Sequence, residues 1–203
     1  MSKKPVIVFE GIEGSGKSYH LLNVSKHLKK RKIPFIKIRE PGGCFNAEKI
    51  RKLVLNNKSN FNKNTDLLLY LAARSENIDL LKKNFRKKII LIDRFIDSTI
   101  AYQHYGLGVN INMINLINKN LLQNLKVDFT FLNIVNKKNM NKRLRLRQKL
   151  NRYDKFNSNF YQKVQKGFLK LSLINKRKYQ IVDSNLNIDL NKSLIIKRIE
   201  KLI

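Results

Sequence analysis

Short apolar runs alternate along the chain with longer stretches in which apolar positions recur every three or four residues. Runs rich in β-branched and aromatic residues predict strands at 6–9, 35–38, 89–92, 129–135 and 179–182. The helical period predicts helices near 17–30, 47–55, 65–84, 111–122, 137–148, 159–174 and 189–202. Strands separated by helices favour a parallel sheet with helices on both faces. The pattern therefore predicts a three-layer α/β fold with a five-stranded parallel sheet, and ligands at the carboxyl ends of its strands.

Length and composition are those of one ordinary domain, 1–203. The chain has 203 residues, of which 42% are hydrophobic, enough for a single core. Its start leads into only a short apolar run, unlike a signal peptide, and no stretch reaches the roughly 18 apolar residues that a membrane span needs. The single Cys44 excludes an internal disulfide and a thiolate metal site. These features predict a cytoplasmic protein without a membrane segment.

The charge is strongly basic, with 43 Lys and Arg against 14 Asp and Glu, a formal net charge of +29. A nucleic-acid partner would explain such a charge. The lysines, however, are scattered through the chain rather than clustered, and they accompany many Asn and Ile residues and no Trp. Codons rich in A and T produce this combination. Compositional drift is therefore favoured over a functional nucleic-acid surface, which stays the alternative.

The most specific motif follows the first predicted strand, where the chain runs G-I-E-G-S-G-K-S. This is the phosphate-binding loop pattern, in which glycines let backbone N–H groups surround a phosphate at the start of a helix. The lysine reaches the β- and γ-phosphates of a nucleotide, and the hydroxyl is a ligand for Mg²⁺. The loop therefore predicts binding of a nucleoside triphosphate by Gly11, Ile12, Glu13, Gly14, Ser15, Gly16, Lys17 and Ser18.

Two shorter motifs follow the next predicted strands. The second strand leads into R-E-P-G-G at 39–43, and the third ends in Asp93 and Arg94. A carboxylate in that position can hold Mg²⁺ or its water, and an adjacent guanidinium can bind phosphate oxygens. Either motif alone is also compatible with a turn or a surface ion pair.

Taken together, the motifs are more specific. The phosphate loop, R-E-P-G-G, L-A-A-R at 71–74, D-R, and S-T-x-A-Y-Q at 98–103 resemble the thymidylate kinase family in order and spacing, from residue 6 to about 184. The resemblance implies a P-loop nucleoside-monophosphate kinase fold and a homodimer formed through a helical face. It also implies transfer of the γ-phosphoryl of ATP to dTMP, giving dTDP and ADP, with Mg²⁺.

The resemblance also implies roles for individual residues. Arg74 would hydrogen-bond the thymine edge, and Tyr70, one helical turn earlier and on the same face, would stack on the base. Thr99 and Gln103 would reach the base, and the Tyr102 ring would lie near the 2′ position of the sugar. The remaining implied contacts are the 3′-hydroxyl to Glu13, the acceptor phosphate to Arg39 and Arg94, and the metal or its waters to Ser18, Glu40 and Asp93.

A basic segment at about 142–156 resembles the mobile lid of these kinases. In the family, the catalytic arginine comes from either the phosphate loop or the lid. The variable positions of the loop here, Ile12, Glu13 and Ser15, carry no positive charge, so the lid is expected to supply it, as in bacterial members. Arg147 and Arg152 are the candidates, although a solvated basic helix face would look the same. The predicted catalytic set is Lys17, Asp93, Arg94, Arg147 and Arg152.

Two other functions stay open at this point. A kinase of another pyrimidine nucleotide or of a deoxynucleoside would share most of the motifs, although a nucleoside acceptor needs no clamp such as Arg39 and Arg94. A basic nucleic-acid-binding ATPase would place stacking aromatic residues between basic runs. Here Phe and Tyr fall mostly within amphipathic elements, which favours the kinase.

Overall fold

The computed structural model describes residues 4–203; residues 1–3, which the sequence assigns to the same domain, lie outside the described part. Five strands form one sheet: β1 (Val6–Gly11), β2 (Phe35–Arg39), β3 (Ile89–Asp93), β4 (Phe129–Ile134) and β5 (Tyr179–Asp183). Their order is β2-β3-β1-β4-β5, and every neighbouring pair is parallel. The predicted fold class is confirmed, with each predicted strand in place.

The helices are α1 (Lys17–Lys30), α2 (Phe45–Leu55), α3 (Lys63–Asn84), α4 (Ile96–Thr99), α5 (Ile111–Leu122), α6 (Lys137–Arg145), α7 (Ser158–Ile174) and α8 (Ile188–Leu202). A π-helical segment, Ile100–Gly106, continues α4, and short 3₁₀ turns lie at Tyr153–Lys155 and Lys176–Lys178. No helix within residues 4–203 is both long and apolar enough to cross a membrane.

Alternate residues of the central strand face opposite layers of the fold. Ile7 and Phe9 of β1 pack with α1 and α8 on one face of the sheet. Val6 and Val8 pack with residues of α3 and α5 on the other. All six residues of β1 are buried, as expected for a central parallel strand covered on both sides. The site at the end of β1 therefore rests on a fully buried strand.

The helix formed by α4 and the π-helical segment does not appear among the helices predicted from the sequence. Its start depends on a residue far away in the chain: Glu10, at the end of β1, accepts hydrogen bonds from the backbone N–H groups of Phe95 and Ser98, at 2.8 and 3.2 Å. Glu10 thus satisfies the open donors of the first turn, as a capping side chain does. A pattern search along the local sequence does not detect such a cap.

The predicted helix at 137–148 is shorter in the structure. It ends at Arg145, and the chain then turns irregularly to the 3₁₀ turn at Tyr153–Lys155. The predicted lid at 142–156 thus begins in the last turn of α6, and most of it is not α-helical. It lies next to α2, because the backbone N–H of Arg152 donates to the carbonyl of Leu55 at 3.3 Å.

Candidate active site

The phosphate loop connects the buried end of β1 to α1. Gly16, the residue before α1, has a left-handed conformation with φ 81°, and no side chain caps the helix there. The N-terminal N–H groups of α1 are thus available to an anion. At Gly11 a Cβ would lie 2.3 Å from the carbonyl oxygen of Asn133 in the neighbouring β4, so only glycine fits. These features favour a phosphate cradle, which stays a prediction.

Lys17 is the cationic group of the loop. It is 7% exposed, and its Nζ lies 3.4 Å from the carbonyl oxygen of Ile12. Burial, reinforced by the nearby Arg94, lowers the pKa of Lys17 to about 8 despite the opposing carboxylates of Asp93 and Glu13. A bound polyphosphate would stabilise the charged ammonium, because its negative charge acts in the same direction as these two carboxylates.

Two of the predicted metal ligands, Ser18 and Asp93, are in contact in the structure. The Ser18 hydroxyl donates to Oδ2 of Asp93 at 2.7 Å, which joins the start of α1 to the end of β3. The other carboxylate oxygen of Asp93 is buried without a hydrogen-bond partner among residues 4–203. Mg²⁺ prefers oxygen ligands and takes few from the protein when nucleotide phosphates supply the rest. The donor set of Ser18 and Asp93 fits that ion.

Arg94 is held by an acid of the phosphate loop. It has a positive φ of 67°, and its Nη2 donates to Glu13 at 2.7 Å. Burial alone would lower the pKa of Arg94, but the facing Glu13 raises it well above its usual value. Burial would raise the pKa of Glu13, but Arg94 and Lys17 lower it. The other oxygen of Glu13 accepts a hydrogen bond from the Tyr102 hydroxyl. The pair is thus charged and fixed in orientation.

These groups line one cavity of ≈ 190 Å³ at the carboxyl ends of the strands. The residues predicted from the sequence that line it are Glu13, Lys17, Ser18, Arg39, Glu40, Tyr70, Asp93, Arg94, Tyr102, Gln103 and Arg147. They come from the phosphate loop, R-E-P-G-G, α3, the D-R motif, the π-helical segment and the lid. The cavity lining combines cationic groups with aromatic rings, the two kinds of side chain that suit a nucleotide acceptor.

Comparison with known proteins identifies the family. The family model described as thymidylate kinase matches residues 9–195. Curated thymidylate kinases from Mycoplasma capricolum subsp. capricolum and Thermosipho africanus are each 37% identical to this chain, over 90% of it and over 88% and 91% of their own lengths. A crystal structure of thymidylate kinase from Ehrlichia chaffeensis superposes with a TM-score of 0.79 at 27% identity, covering 98% of this chain and 99% of that one.

The chain belongs to the thymidylate kinase family. It is an enzyme with the P-loop nucleoside-monophosphate kinase fold.

The structure places two residues of the predicted thymidylate kinase base site outside the cavity wall. Arg74 is 1% exposed and does not line the cavity. Its guanidinium donates to Glu40 from Nε and Nη2, to Asn118 at 2.6 Å and to Thr99 at 2.9 Å. Thr99, also predicted to reach the base, is 2% exposed and is occupied by this contact. Neither side chain lines the cavity, because the buried charge of Arg74 is paired inside the protein. The base contact predicted for both residues stays a prediction.

Glu40 has one oxygen committed and one free. Its Oε2 accepts two hydrogen bonds from Arg74, and its Oε1 is buried without a hydrogen-bond partner among the described residues. Burial raises the pKa of Glu40, against the opposing effect of Arg74. Only Oε1 could still contact a metal ion or its water, so the metal role of Glu40 stays a prediction. Ser18 and Asp93 remain the better supported ligands.

The two candidate lid arginines occupy different places. Arg147 lines the cavity and forms an ion pair with Asp154, another lid residue. Arg152 does not line it; its guanidinium pairs with Asp66 at the start of α3 and lies 5.6 Å from the Phe61 ring. The lid is therefore anchored through Arg152, and its Arg147 faces the cavity. Geometry favours Arg147 as the arginine that meets the phosphates.

Several cavity residues were not predicted from the sequence. Arg51 of α2 lines the cavity and donates to the carbonyl of Pro41 at 2.6 Å. Tyr153 of the lid also lines it, and its ring packs edge-on against Tyr70, with centroids 5.8 Å apart. A basic residue two turns into the helix after R-E-P-G-G was the available signal for Arg51. For Tyr153 no local pattern distinguishes a cavity residue from a core aromatic.

Proposed function

We propose that this cavity binds dTMP beside an ATP held by the phosphate loop, and that the chain phosphorylates dTMP to dTDP. Membership of the thymidylate kinase family supports the reaction, and the charged pair of Glu13 and Arg94 supports the site. This pair joins the nucleotide-binding loop to the D-R motif at 2.7 Å, so donor and acceptor sites share one wall. Phosphoryl transfer depends mainly on such positioning and on neutralising charge.

The residues have distinct parts in the proposed reaction. An oxygen of the dTMP phosphate attacks the γ-phosphorus of ATP, and the bond to the β-phosphate oxygen breaks to release ADP. Lys17 and the N-terminus of α1 bind the donor phosphates, while Arg94 and Arg39 orient the acceptor phosphate. Arg147 enters from the lid to offset the charge on the transferring group and to exclude water. Catalysis thus depends on placement rather than on a protein nucleophile.

Ser18 and Asp93 would hold Mg²⁺, which would neutralise charge on the donor phosphates. The free Oδ1 of Asp93 supports this assignment. For Glu40 the proposal extends to a hydrogen bond with a metal-bound water, through the oxygen that Arg74 does not use.

The base end of the cavity supports a pyrimidine acceptor. Tyr70 presents a half-buried ring, and Gln103 lies nearby on the π-helical segment, 1% exposed. An aromatic face and a carboxamide together supply stacking and hydrogen bonding to a base. Tyr102, fixed to Glu13, occupies the wall between this end and the phosphate end, which suits the predicted sugar contact.

An ADP-release assay with ATP and Mg²⁺ tests the proposal, with dTMP, dUMP, UMP, CMP, AMP and thymidine offered in parallel. We expect strong turnover with dTMP and, at most, weak turnover with dUMP. Turnover with thymidine above that with dTMP would overturn the phosphate-clamp assignment of Arg39 and Arg94. Folded protein that turns over none of these acceptors would overturn the function.

Two further properties belong to the proposal. Exposed Leu68 on α3 and Leu116 on α5, two helices that pack together, support a homodimer through a helical face, which sedimentation would test. The nucleotide substrates and the lone Cys44 support a cytoplasmic location. We do not assign nucleic-acid binding to the basic surface. Tight binding to random DNA that persists at physiological salt would reverse that assignment.

A further inference from the structure

A buried carboxylate, Asp66, lies between the lid and the base end of the cavity. It is at the start of α3 and is 1% exposed. Its Oδ1 pairs with Arg152 of the lid, and its Oδ2 accepts hydrogen bonds from the hydroxyl of Tyr153 and from Nε2 of Gln103. Asp66 itself does not line the cavity, whereas Tyr153 and Gln103 both do. One carboxylate thus joins the lid to two cavity residues.

These contacts fix the orientation of the Gln103 carboxamide. A carboxylate accepts hydrogen bonds and donates none, so it must face the NH₂ side of the amide. Nε2 of Gln103 lies 3.2 Å from Oδ2 of Asp66 and 3.2 Å from the hydroxyl oxygen of Tyr153. The Tyr153 proton is donated to Asp66, which leaves the hydroxyl oxygen to accept from Gln103. Both N–H groups of the amide therefore have partners inside the protein.

The carbonyl oxygen of Gln103 has no such partner. Its Oε1 is buried without a hydrogen-bond donor among residues 4–203, although Gln103 lines the cavity. A buried acceptor without a donor is unfavourable, and a ligand with an N–H group can satisfy it. Thymine carries such a donor at N3. Because the Asp66 carboxylate binds the NH₂ side of the amide, a bound base meets the carbonyl side.

We propose that Asp66 is a positioning residue, which holds the Gln103 carbonyl toward the base and secures the lid over it through Arg152 and Tyr153. The inference rests on the proposed function, since it assumes a base at this end of the cavity. Asp66 touches neither base nor phosphate and acts through its neighbours. Base recognition and lid placement are thus coupled, because both depend on the same carboxylate.

The first test is Asp66→Asn, with Asp79→Asn as its matched control. Both changes remove one carboxylate from α3, but Asp79 is exposed. The new amide at position 66 can donate to Gln103 and allow the Gln103 amide to turn over. We expect kcat/KM for dTMP to fall by ~10- to 100-fold, the usual effect of losing a hydrogen bond to a charged group. KM for ATP and the control variant should change little. A KM for dTMP equal to that of the control would overturn the proposal.

The second test exchanges donor and acceptor. In Gln103→Glu alone, two carboxylates face each other, and dTMP binding should weaken strongly. In the double variant Asp66→Asn, Gln103→Glu, the new amide donates to the new carboxylate, whose other oxygen still accepts from the base. We expect the double variant to recover most of the kcat/KM for dTMP that either single change loses. Additive losses in this double-mutant cycle would overturn the orientation argument.

If Asp66→Asn fails to fold, Tyr153→Phe gives the answer. It keeps the ring but removes the hydroxyl that donates to Asp66 and accepts from Gln103, and so removes one of the two hydrogen bonds that orient the amide. We expect weaker dTMP binding by calorimetry, with ATP binding unchanged. An unchanged dTMP affinity would contradict the proposal. Failure of the proposed function is separate from all these outcomes, because it shows as lack of dTMP turnover in the unaltered protein.

Discussion

Arg74 donates hydrogen bonds from two of its nitrogens, Nε and Nη2, to a single oxygen of Glu40, at 2.8 and 2.7 Å. Both side chains are almost fully buried. The contact joins α3 to the R-E-P-G-G turn beneath the cavity, and it leaves the other oxygen of Glu40 free. The arginine that the family pattern predicts at the base is thus, in this structure, a buried link between two walls of the site.

Arg74→Ala is therefore expected to affect stability as well as binding. Removing one partner of a buried ion pair leaves the other charge unpaired, which costs about 3–5 kcal/mol in the free energy of unfolding. Among proteins that remain folded, dTMP binding should weaken far more than ATP binding. Urea denaturation and calorimetry measure the two effects, with exposed Lys83→Ala on the same helix as control. Unchanged stability would show that the pair contributes no net free energy. Equal loss of dTMP and ATP affinity would show that Arg74 does not act specifically on the acceptor site.

The lowered pKa of Lys17 predicts that activity decreases at alkaline pH. Its pKa is lowered to about 8, mainly by burial, so the free enzyme loses this charge as the pH rises through 8. Because kcat/KM reports the free enzyme, kcat/KM for ATP should fall above pH 8. The limb in kcat should lie at higher pH, since bound phosphates favour the ammonium. Lys17→Arg should lose the limb near pH 8, because arginine stays protonated. Its persistence in that variant would assign the limb to another group.

Lys17→Ala separates the charge from the fold. Turnover should decrease by orders of magnitude, because the donor phosphates lose their cation. The free energy of unfolding should not decrease, because the variant no longer buries an ammonium group. Steady-state kinetics and thermal denaturation of the same preparation measure both. Normal turnover would mean that the phosphate-loop assignment is wrong.

The two lid arginines should respond differently to substitution by alanine. Arg147→Ala removes the arginine that lines the cavity, and kcat should fall by about 10³-fold or more, as for other arginines that neutralise phosphoryl transfer. Arg152→Ala removes an anchor to Asp66, so its main effect should be a higher KM for dTMP. Steady-state kinetics with both substrates distinguish these patterns. A larger loss of kcat in Arg152→Ala would exchange the two roles.

Gly11→Ala tests the close contact of the phosphate loop with β4. The added Cβ would lie 2.3 Å from a backbone oxygen, and φ is 141°. Gly108→Ala is the matched control, because φ there is also positive, at 71°, but no heavy atom lies within 4 Å. Both variants should lose stability through backbone strain, typically more than about 1 kcal/mol. Gly11→Ala should lose clearly more in chemical denaturation. Equal losses would show that the loop relaxes around the contact.

The sequence predicted the strands and the phosphate loop well because their signals are local. Burial on both faces makes β1 and β3 continuous apolar runs, and the glycines of the loop have fixed spacing. The helix beginning at Ile96 was missed because its first turn is capped by Glu10, 85 residues from Phe95 in the chain. That contact exists only in the folded protein.

The site residues divide in the same way. Spacing predicted that Tyr70 and Arg74 share a helix face, but it did not predict that Arg74 is occupied by Glu40 and Thr99. Which of Arg147 and Arg152 faces the cavity depends on the acid that each one pairs with. The lid between them is irregular, so periodicity carries no information about their directions. Long-range pairing of charges was the part that a local pattern could not supply.

The neighbouring position of β1 and β3 in the sheet has a consequence for how the protein becomes active. Ser18 meets Asp93 across 75 residues of chain, and Glu13 meets Arg94 across 81. None of these pairs can form until the two central strands have aligned. Contacts so distant in sequence form slowly, because the intervening chain must first be ordered. The rate at which catalytic activity returns during refolding therefore reports how fast the middle of the sheet assembles.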